Sequence, residues 1–135
     1  MEFNIPDGTS HSLKLRVEKR HTAKAVGSGG IDVFSTPSLV AVMEQAALEA
    51  VQSFLPEGWT TVGTRIDVEH CKATLQGGEI RAEATLIRVE GRVLKFLVEA
   101  HDVDGIVGKG RHHRFIINRD KFLRKLHEAA GNAGS

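Results

Sequence analysis

The sequence predicts an α+β fold in which a five-stranded antiparallel sheet wraps around one long helix. Three observations lead to this prediction: one alternating apolar and polar segment near the start of the chain, a long and largely apolar helical segment after it, and four further alternating segments separated by glycine-containing turns. Because the helix is apolar nearly all round, it must be covered on most sides, and a curved sheet provides that cover.

The segment before the helix contains one strand and one glycine-rich loop. Residues 12 to 19 alternate apolar and polar side chains, as expected for a half-buried strand. Residues 21 to 34 contain three glycines, Gly27, Gly29 and Gly30, whose spacing does not fit a dinucleotide-binding fingerprint. We therefore predict a mobile lid loop over residues 21 to 34.

The long helix has clear start and stop signals. Thr36 is predicted as its N-cap, because a hydroxyl residue followed by proline at the first helical position is typical of a helix start. The helix is expected to run to about Phe54, since Pro56 and Gly58 then stop it.

The second half of the chain is predicted as four strands and a short helix. The strands are expected over residues 60 to 75, 79 to 90, 92 to 103 and 106 to 118, and short glycine turns make the last three an antiparallel meander. Residues 119 to 128 fit a short amphipathic helix and residues 129 to 135 a flexible tail. At 135 residues, we expect a single domain over 1 to 135 with its core at about 12 to 126.

Composition narrows the classes of function. The formal net charge of +1 gives no global field for nucleic-acid binding, which depends on many phosphate contacts. The single cysteine, Cys71, excludes an internal disulfide framework and cysteine-rich zinc patterns, so we expect a cytoplasmic protein. No segment has the length and apolar content of a signal peptide or a membrane span, and no membrane association is predicted.

Glu44 is an acid within the apolar helix. At about 100° per residue, the polar stripe contains Ser38, Gln45, Glu49, Gln52 and Ser53, and Glu44 lies about 125° away from its centre. Three interpretations are open: a boundary residue that reaches solvent, a buried acid paired with an arginine or histidine, and a catalytic carboxylate in a cleft. Helix position alone does not choose among them.

His70 and Thr36 are the other candidates for chemistry. Alternation along residues 60 to 75 places His70 with Val62, Thr64, Ile66 and Val68 on one face, and Thr61, Gly63, Arg65, Asp67, Glu69 and Cys71 on the other. His70 therefore ends an apolar row that should pack against the helix carrying Glu44. Thr36 is explained by helix capping alone, although the free N–H groups of a first helical turn can also bind an anion or a polarised carbonyl.

Residues 109 to 125 form a local basic stretch. They contain seven basic residues and one acid, an excess of +6, namely Lys109, Arg111, Arg114, Arg119, Lys121, Arg124, Lys125 and Asp120. Such a patch either clamps phosphates or is a solvated strand edge and helix face. Nucleic-acid binding ranks low, because the only interleaved aromatics are Phe115 and Phe122.

His112 and His113 are adjacent in the last predicted strand. Neighbouring side chains of a strand point to opposite faces, so the pair cannot chelate one ion from one side. No metal site is predicted.

Several motifs together resemble one known family. The motifs are TP-x5-ME-x2-A on a helix, GTRIDVEHCKAT on a strand, and VEGRVLKFLVEAHD and IVGKGRHHRFII on a hairpin. Their order resembles that of the fluoroacetyl-CoA thioesterases of the hot-dog superfamily, over roughly residues 33 to 126. The resemblance implies a hot-dog homodimer that hydrolyses acyl-CoA thioesters without a cofactor, at sites on the subunit interface. A gating phenylalanine of the family is matched by Gly30, so the resemblance extends to hydrolysis and not to fluoroacetyl selectivity.

The resemblance also implies roles for five residues. Thr36, Glu44 and His70 match the catalytic threonine, glutamate and histidine of the family. Gly63 matches the glycine whose N–H faces the thioester carbonyl, and Arg114 matches a substrate-binding arginine of the last strand. Two other functions stay open: a non-catalytic module that binds acyl-CoA, and an acyl-CoA hydratase or dehydratase.

Overall fold

The computed structural model describes residues 2–133, and it confirms the predicted five-stranded antiparallel sheet with one long helix. The strands are β1 (Ser10–Arg16), β2 (Trp59–His70), β3 (Glu79–Glu90), β4 (Val93–Asp102) and β5 (Gly105–Asn118). The helices are α1 (Ala23–Val26), α2 (Thr36–Gln52) and α3 (Arg119–Ala133), and a 3₁₀ turn spans Lys19–His21. No helix within residues 2–133 has both the length and the apolar content needed to cross a membrane.

The strand order of the sheet is β1-β3-β4-β5-β2. The predicted meander of β3, β4 and β5 is confirmed, since these strands pair antiparallel in chain order. The first strand adds beside β3, and β2 adds beside β5. Strands β1 and β2 are therefore the two edges of the sheet, and each leaves one row of backbone groups without a neighbouring strand.

The core lies between α2 and one face of the sheet. The helix contributes Leu39, Met43, Ala46, Ala47 and Val51, all fully buried. On β3 and β4 every second residue is buried, namely Ile80, Ala82, Ala84, Leu86, Leu94, Phe96, Val98 and Ala100. The small alanines of α2 and β3 allow the helix to lie close to the sheet, while the larger side chains of β4 fill the remaining space.

The N-terminus of α2 differs from the sequence prediction by one residue. Ser35, not Thr36, is the N-cap: its backbone is extended, and its Oγ accepts a hydrogen bond from the Ser38 N–H at 3.1 Å. Thr36 and Pro37 occupy the first helical turn. A capping role therefore does not explain the Thr36 hydroxyl.

Other predicted boundaries also change. The segment predicted as a lid has a buried part and an exposed part. His21, Thr22 and Ala23, the first residue of α1, are buried, whereas residues 24 to 32 are exposed. The first strand ends at Arg16, and β2 ends at His70 instead of continuing to residue 75. The C-terminal helix continues to Ala133, so residues 129 to 133 of the predicted tail are helical; residues 134 and 135 lie outside the described part of the chain.

A β-bulge at Thr64 alters which residues of β2 face the helix. Gly63 pairs with Arg114, but Arg65 pairs with His113, so Thr64 is an extra residue in the strand. The prediction that Gly63 and His70 occupy opposite faces is therefore wrong. Before the bulge, Thr61 and Gly63 point toward the helix. After the bulge the alternation shifts by one residue, so Ile66, Val68 and His70 are more buried than the residues between them.

Glycine on β5 lets the start of α2 approach the sheet. A Cβ added at Gly108 would lie 2.7 Å from Leu39 Cδ2 and 3.4 Å from Met43 Cε. Gly108 also pairs with His70 of β2. The bare backbone at this position thus brings the first turn of α2 next to the last residue of β2.

A substitution at Gly110 tests the close pairing of β2 and β5. A Cβ there would collide with the backbone carbonyl oxygen of Asp67 and lie 2.8 Å from Val68 Cα. Because backbone atoms cannot move aside cheaply, we expect Gly110→Ala to lower the free energy of unfolding by about 1–3 kcal/mol, the usual range for overpacking. Urea unfolding of this variant and of the original chain measures the difference in free energy of unfolding.

The matched control is Gly30→Ala, where an added Cβ meets no atom within 4 Å. This variant should unfold within about 0.5 kcal/mol of the original chain, as surface substitutions usually do. Equal stabilities of the two variants would contradict the described packing of β2 on β5.

Candidate active site

The side chains of Thr36 and His70 are in direct contact. Thr36 is the first residue of α2 and His70 is the last residue of β2, and their Oγ1 and Nδ1 atoms are 2.8 Å apart. Since Ser35 caps the helix, the Thr36 hydroxyl is available to this hydrogen bond. The contact fixes the orientation of the imidazole ring beside the N-terminus of α2.

The other ring nitrogen of His70 has no partner. Nε2 is buried and forms no hydrogen bond with any residue in the described part of the chain. The Phe34 ring packs edge-on against the imidazole, with 6.3 Å between the ring centroids. Burial lowers the pKa of His70 below its ordinary value of 6.5, and the Lys72 backbone opposes this effect in part. His70 is therefore a neutral, partly desolvated base with one unused nitrogen, a combination that is uncommon outside functional sites.

Glu44 lies against the backbone of Gly63. The acid is half-buried on α2, and a Cβ added at Gly63 would lie 2.8 Å from its Oε2 atom. The same position is 3.3 Å from His112 Cε1 and 3.4 Å from Arg114 Nη1. Any side chain at residue 63 would therefore displace the group of Glu44, His112 and Arg114, which we call the Glu44 cluster.

Arg114 is a buried cation within the Glu44 cluster. It is 7% exposed, and its Nε and Nη2 atoms donate to the Thr61 hydroxyl at 2.7 Å and the Thr61 carbonyl at 2.9 Å. Burial lowers the pKa of Arg114 from its ordinary value, and the nearby Glu44 carboxylate acts in the opposite direction. An attraction between these two charges therefore stabilises the ionised arginine in a desolvated position.

The hydrogen bonds of His112 define its tautomer. Nδ1 lies 2.7 Å from the Arg65 carbonyl oxygen, which can only accept, so Nδ1 carries the proton. Nε2 lies 3.2 Å from Arg114 Nη1, which can only donate, so Nε2 is the acceptor. Burial, as the largest cause, lowers the pKa of His112, and this agrees with a neutral ring. His112 thus links the bulged strand to the arginine.

His112 is the member of the cluster that sequence analysis missed. Its position beside His113 in the sequence suggests only metal binding, yet its side chain is 1% exposed and forms a hydrogen bond through each ring nitrogen. The signal was present in the H-x-R spacing of His112 and Arg114, because residues two apart on a strand share one face. Among residues 2–133, no three histidine, cysteine, aspartate or glutamate side chains are grouped to hold a metal ion.

The five predicted site residues form two separate groups within one chain. Thr36 and His70 form one group, and Glu44, Gly63 and Arg114 belong to the other. No hydrogen bond or ion pair in the described chain joins Glu44 to His70. Thr36 and Glu44 are eight residues apart on α2, which corresponds to about 12 Å along the helix axis.

The predicted basic stretch is not one surface. Arg114 is buried in the Glu44 cluster, whereas Lys109 and Arg111 border a groove beside Leu97 and Glu99. Lys121 and Lys125 lie on α3 and border a different cavity. A clamp that uses residues 109 to 125 together is therefore wrong, and each part must be considered alone.

Two buried histidines, His21 and His112, and the partly buried His70 predict how stability depends on pH. Burial lowers the pKa values of His21, His70 and His112 below 6.5, so below this pH the unfolded chain binds protons that the folded chain excludes. Their contribution to stability is complete above about pH 6.5 and is lost as the pH falls through the lowered values of the folded state. We expect the free energy of unfolding to decrease from pH 7 to pH 5.

Urea unfolding of the original chain and of His112→Gln across this range checks the prediction. Glutamine does not titrate, so the variant should show a shallower decrease. A flat profile for the original chain, or identical slopes for both, would contradict the described burial of these rings.

Known proteins with similar sequences share this fold. The model of the fluoroacetyl-CoA-specific thioesterase family matches residues 17–120. The fluoroacetyl-CoA thioesterase of Streptantibioticus cattleyicolor is 38% identical over 97 residues, which cover 72% of this chain and 70% of that protein.

Solved structures of related proteins have a similar fold. A variant of the fluoroacetyl-CoA-specific thioesterase in complex with acetyl-CoA superposes with a TM-score of 0.87 at 30% identity, covering 93% of this chain and 98% of the other. A thioesterase superfamily member from Thermus thermophilus gives a TM-score of 0.85 at 27% identity, covering 96% and 98% of the two chains. The chain belongs to the fluoroacetyl-CoA-specific thioesterase family and has its hot-dog fold.

Proposed function

We propose that this protein is an acyl-CoA thioesterase that hydrolyses short or medium acyl-CoA thioesters to a free acid and CoA. The observation that carries the proposal is the position of the Glu44 carboxylate against the side-chain-free backbone of Gly63. This arrangement puts a carboxylate side by side with backbone that carries no side chain, so that one thioester carbonyl can contact both. The relatives named as thioesterases support the same reaction.

We also propose a homodimer, because the two groups of site residues lie too far apart within one chain to act on the same thioester. Edge strand β2 carries Gly63 near its middle and His70 at its end, about 23 Å apart at the usual rise of a strand. If β2 pairs antiparallel with β2 of a second copy around a two-fold axis, the Gly63 region of one chain lies near the His70 end of its partner. Each complete site then combines the Glu44 cluster of one chain with the Thr36 and His70 pair of the other.

Each residue has a role that follows from its contacts. Glu44 either attacks the thioester carbonyl, giving an anhydride that water then hydrolyses to the free acid and Glu44, or takes a proton from an attacking water. As the carbon–sulfur bond breaks, His70 delivers a proton to the departing thiolate, and Thr36 holds the imidazole in place. The Gly63 N–H would stabilise the oxyanion, a contribution of about 3–4 kcal/mol where such a donor has been removed from other enzymes.

Arg114 has a different role in this proposal from the substrate contact that the resemblance implied. Its Nε and Nη2 atoms donate to Thr61, and its Nη1 faces His112, so three of its nitrogens are engaged inside the protein. We therefore propose that Arg114 interacts with the nearby Glu44 carboxylate and not with the substrate. His112 holds the guanidinium in that position.

Gly30 offers no side chain that could restrict the acyl group. Gly30 stands where the family has a gating phenylalanine, and a Cβ added there meets open space. The proposal therefore covers several short and medium acyl chains instead of fluoroacetyl alone. A panel of acyl-CoAs of increasing length defines the range.

Release of free thiol from an acyl-CoA tests the function directly. The protein should release thiol, and Glu44→Gln should reduce kcat by at least about 100-fold, because glutamine is neither a base nor a nucleophile here. A thiol reagent whose reaction product absorbs visible light measures the released CoA. The matched control is Glu49→Gln on an exposed part of the same helix, which should keep full activity.

Two outcomes would overturn the assignment. An absence of thiol release with every acyl-CoA would leave a binding module, or a hydratase if the acyl chain takes up water at a double bond. Full activity of a folded Glu44→Gln variant would remove the acid from the mechanism.

A further inference from the structure

The C-terminal helix α3 has an apolar side that its own chain leaves exposed. At about 100° per residue, five apolar side chains from residue 120 onward lie within about 120° of the helix surface, namely Phe122, Leu123, Leu126, Ala129 and Ala130. We call this side the leucine face. Leu123 is 43% exposed and Leu126 is 50% exposed. The cavity between α3 and the sheet is bordered by Lys121, Phe122 and Lys125, so the two leucines are turned away from it.

A helix of this kind depends on a partner. Every residue of α3 from Arg119 to Gly131 is exposed, although the helix has 15 residues. Isolated helices of about 12 to 15 residues are only marginally stable in water, and most helices in proteins are stabilised by packing of an apolar face. We therefore expect the leucine face to be covered in the assembled protein.

The start of α3 lies next to the edge of the sheet that the proposed homodimer uses. Asn118, the last residue of β5, pairs with Trp59, the first residue of β2. The Arg119 N–H donates to the Gly58 carbonyl at 2.9 Å, so the first turn of the helix is tied to the start of edge strand β2.

Antiparallel pairing of β2 with its copy brings this end of one chain to the far end of the other. When Gly63 lies near the partner's His70, Trp59 lies near the level of the partner's Thr74, because paired residues of antiparallel strands change by equal steps in opposite directions. The start of α3 then faces the connection that follows the partner's His70. At 1.5 Å per residue α3 is about 22 Å long, which is enough to extend along that connection.

The connection after His70 forms part of an apolar surface with a cavity. The cavity has a volume of about 310 Å³ and is bordered by residues 72–75, 78–79 and 102–104, which we call the Leu75 surface. Leu75 is 73% exposed and Val103 is 92% exposed, more than any other large apolar side chain in the described part of the chain. A leucine-rich helix face would remove both side chains from water.

The charges of α3 and of the Leu75 surface are opposite. Over residues 119–131 the helix carries four basic and two acidic residues, namely Arg119, Lys121, Arg124, Lys125, Asp120 and Glu128. The Leu75 surface carries three acids and one base, namely Glu79, Asp102, Asp104 and Lys72. None of the four cations of α3 forms an ion pair within residues 2–133. Electrostatic complementarity therefore favours association of the two surfaces.

We infer that the leucine face of α3 packs on the Leu75 surface of the partner chain, so that each helix of the homodimer covers the other subunit. The inference rests on the proposed function, which includes the homodimer. The covered segment also supports the proposed site, because the Thr74 carbonyl accepts a hydrogen bond from the Phe34 N–H and the Phe34 ring packs against His70. Each α3 thus holds in place the segment that follows the partner's His70.

A cysteine scan of α3 tests the inference. Cys71 is exposed, is the only cysteine of the chain, and directly precedes the Leu75 surface. Within one chain Cys71 and the start of α3 lie at opposite ends of β2, about 36 Å apart at the usual rise of a strand. A short bismaleimide can therefore join Cys71 to a cysteine near the start of α3 only between two chains.

Cross-linking should follow the leucine face. We expect Leu123→Cys and Leu126→Cys to form dimers through Cys71 at least about fivefold faster than Arg124→Cys and Glu128→Cys, which lie on the opposite side of the helix. Mass spectrometry of the linked peptides identifies the joined residues. The original chain is the control and should give no linked dimer, because the two Cys71 residues lie at opposite ends of the paired β2 strands.

Removal of the leucines tests whether the contact stabilises the homodimer. Leu123→Gln/Leu126→Gln should raise the dissociation constant of the homodimer at least about tenfold, because two apolar side chains are no longer buried. The matched control Arg124→Gln/Glu128→Gln keeps the net charge of the helix and should stay within about twofold. Sedimentation measures both constants, and equal circular dichroism will show that both variants are folded.

Cross-linking that is equal around the helix, or absent in a homodimer, would overturn the inference while leaving hydrolysis intact. A chain that stays monomeric would overturn both the homodimer and the inference. Thiol release is a separate measurement: its absence, together with cross-linking along the leucine face, would reject the proposed hydrolysis and retain the docking of α3.

Discussion

The close approach of α2 to β2 and β5 is the constraint on which the rest of the structure depends. Two glycines make it possible, because a Cβ at Gly108 would lie 2.7 Å from Leu39 and a Cβ at Gly63 would lie 2.8 Å from the Glu44 carboxylate. The first contact brings Thr36 to His70, and the second brings Glu44 to a bare stretch of backbone. Interiors packed at this density transmit the position of one element to its neighbours. Both groups of site residues are consequences of where the helix lies.

The bulge at Thr64 connects the two ends of β2. A regular strand would place Gly63 and His70 on opposite faces, and only one of them could then point toward α2. The extra residue shifts the pattern, so that both positions serve the helix side of the same strand. The Arg65 carbonyl beside the bulge then accepts a hydrogen bond from the His112 Nδ1–H group. The Nε2 atom of the same ring accepts from Arg114 and so holds the guanidinium within the Glu44 cluster. A local irregularity in the edge strand therefore sets the electrostatics of the cluster.

Much of the architecture could be predicted from the sequence, and the reasons are local. Alternation in β3 and β4, glycine turns and the apolar helix were sufficient to predict the sheet and its meander. The N-cap was wrong by one residue because Ser35 and Thr36 are both good capping residues and only backbone conformation distinguishes them. The bulge could not be predicted, since it depends on pairing between distant strands. His112 was overlooked because its partners are a backbone carbonyl and a side chain whose direction the bulge determines.

We propose that each site combines the Glu44 of one chain with the His70 of its partner. Complementation between two inactive variants tests it most directly. Glu44→Gln and His70→Asn should each be inactive alone, whereas random pairing of the two chains should form one intact site in each mixed dimer and restore about one quarter of the original kcat. Recovery of thiol release after unfolding and refolding the two variants together is the predicted result. No recovery above the parent variants, in a mixture shown to contain mixed dimers, would contradict the claim.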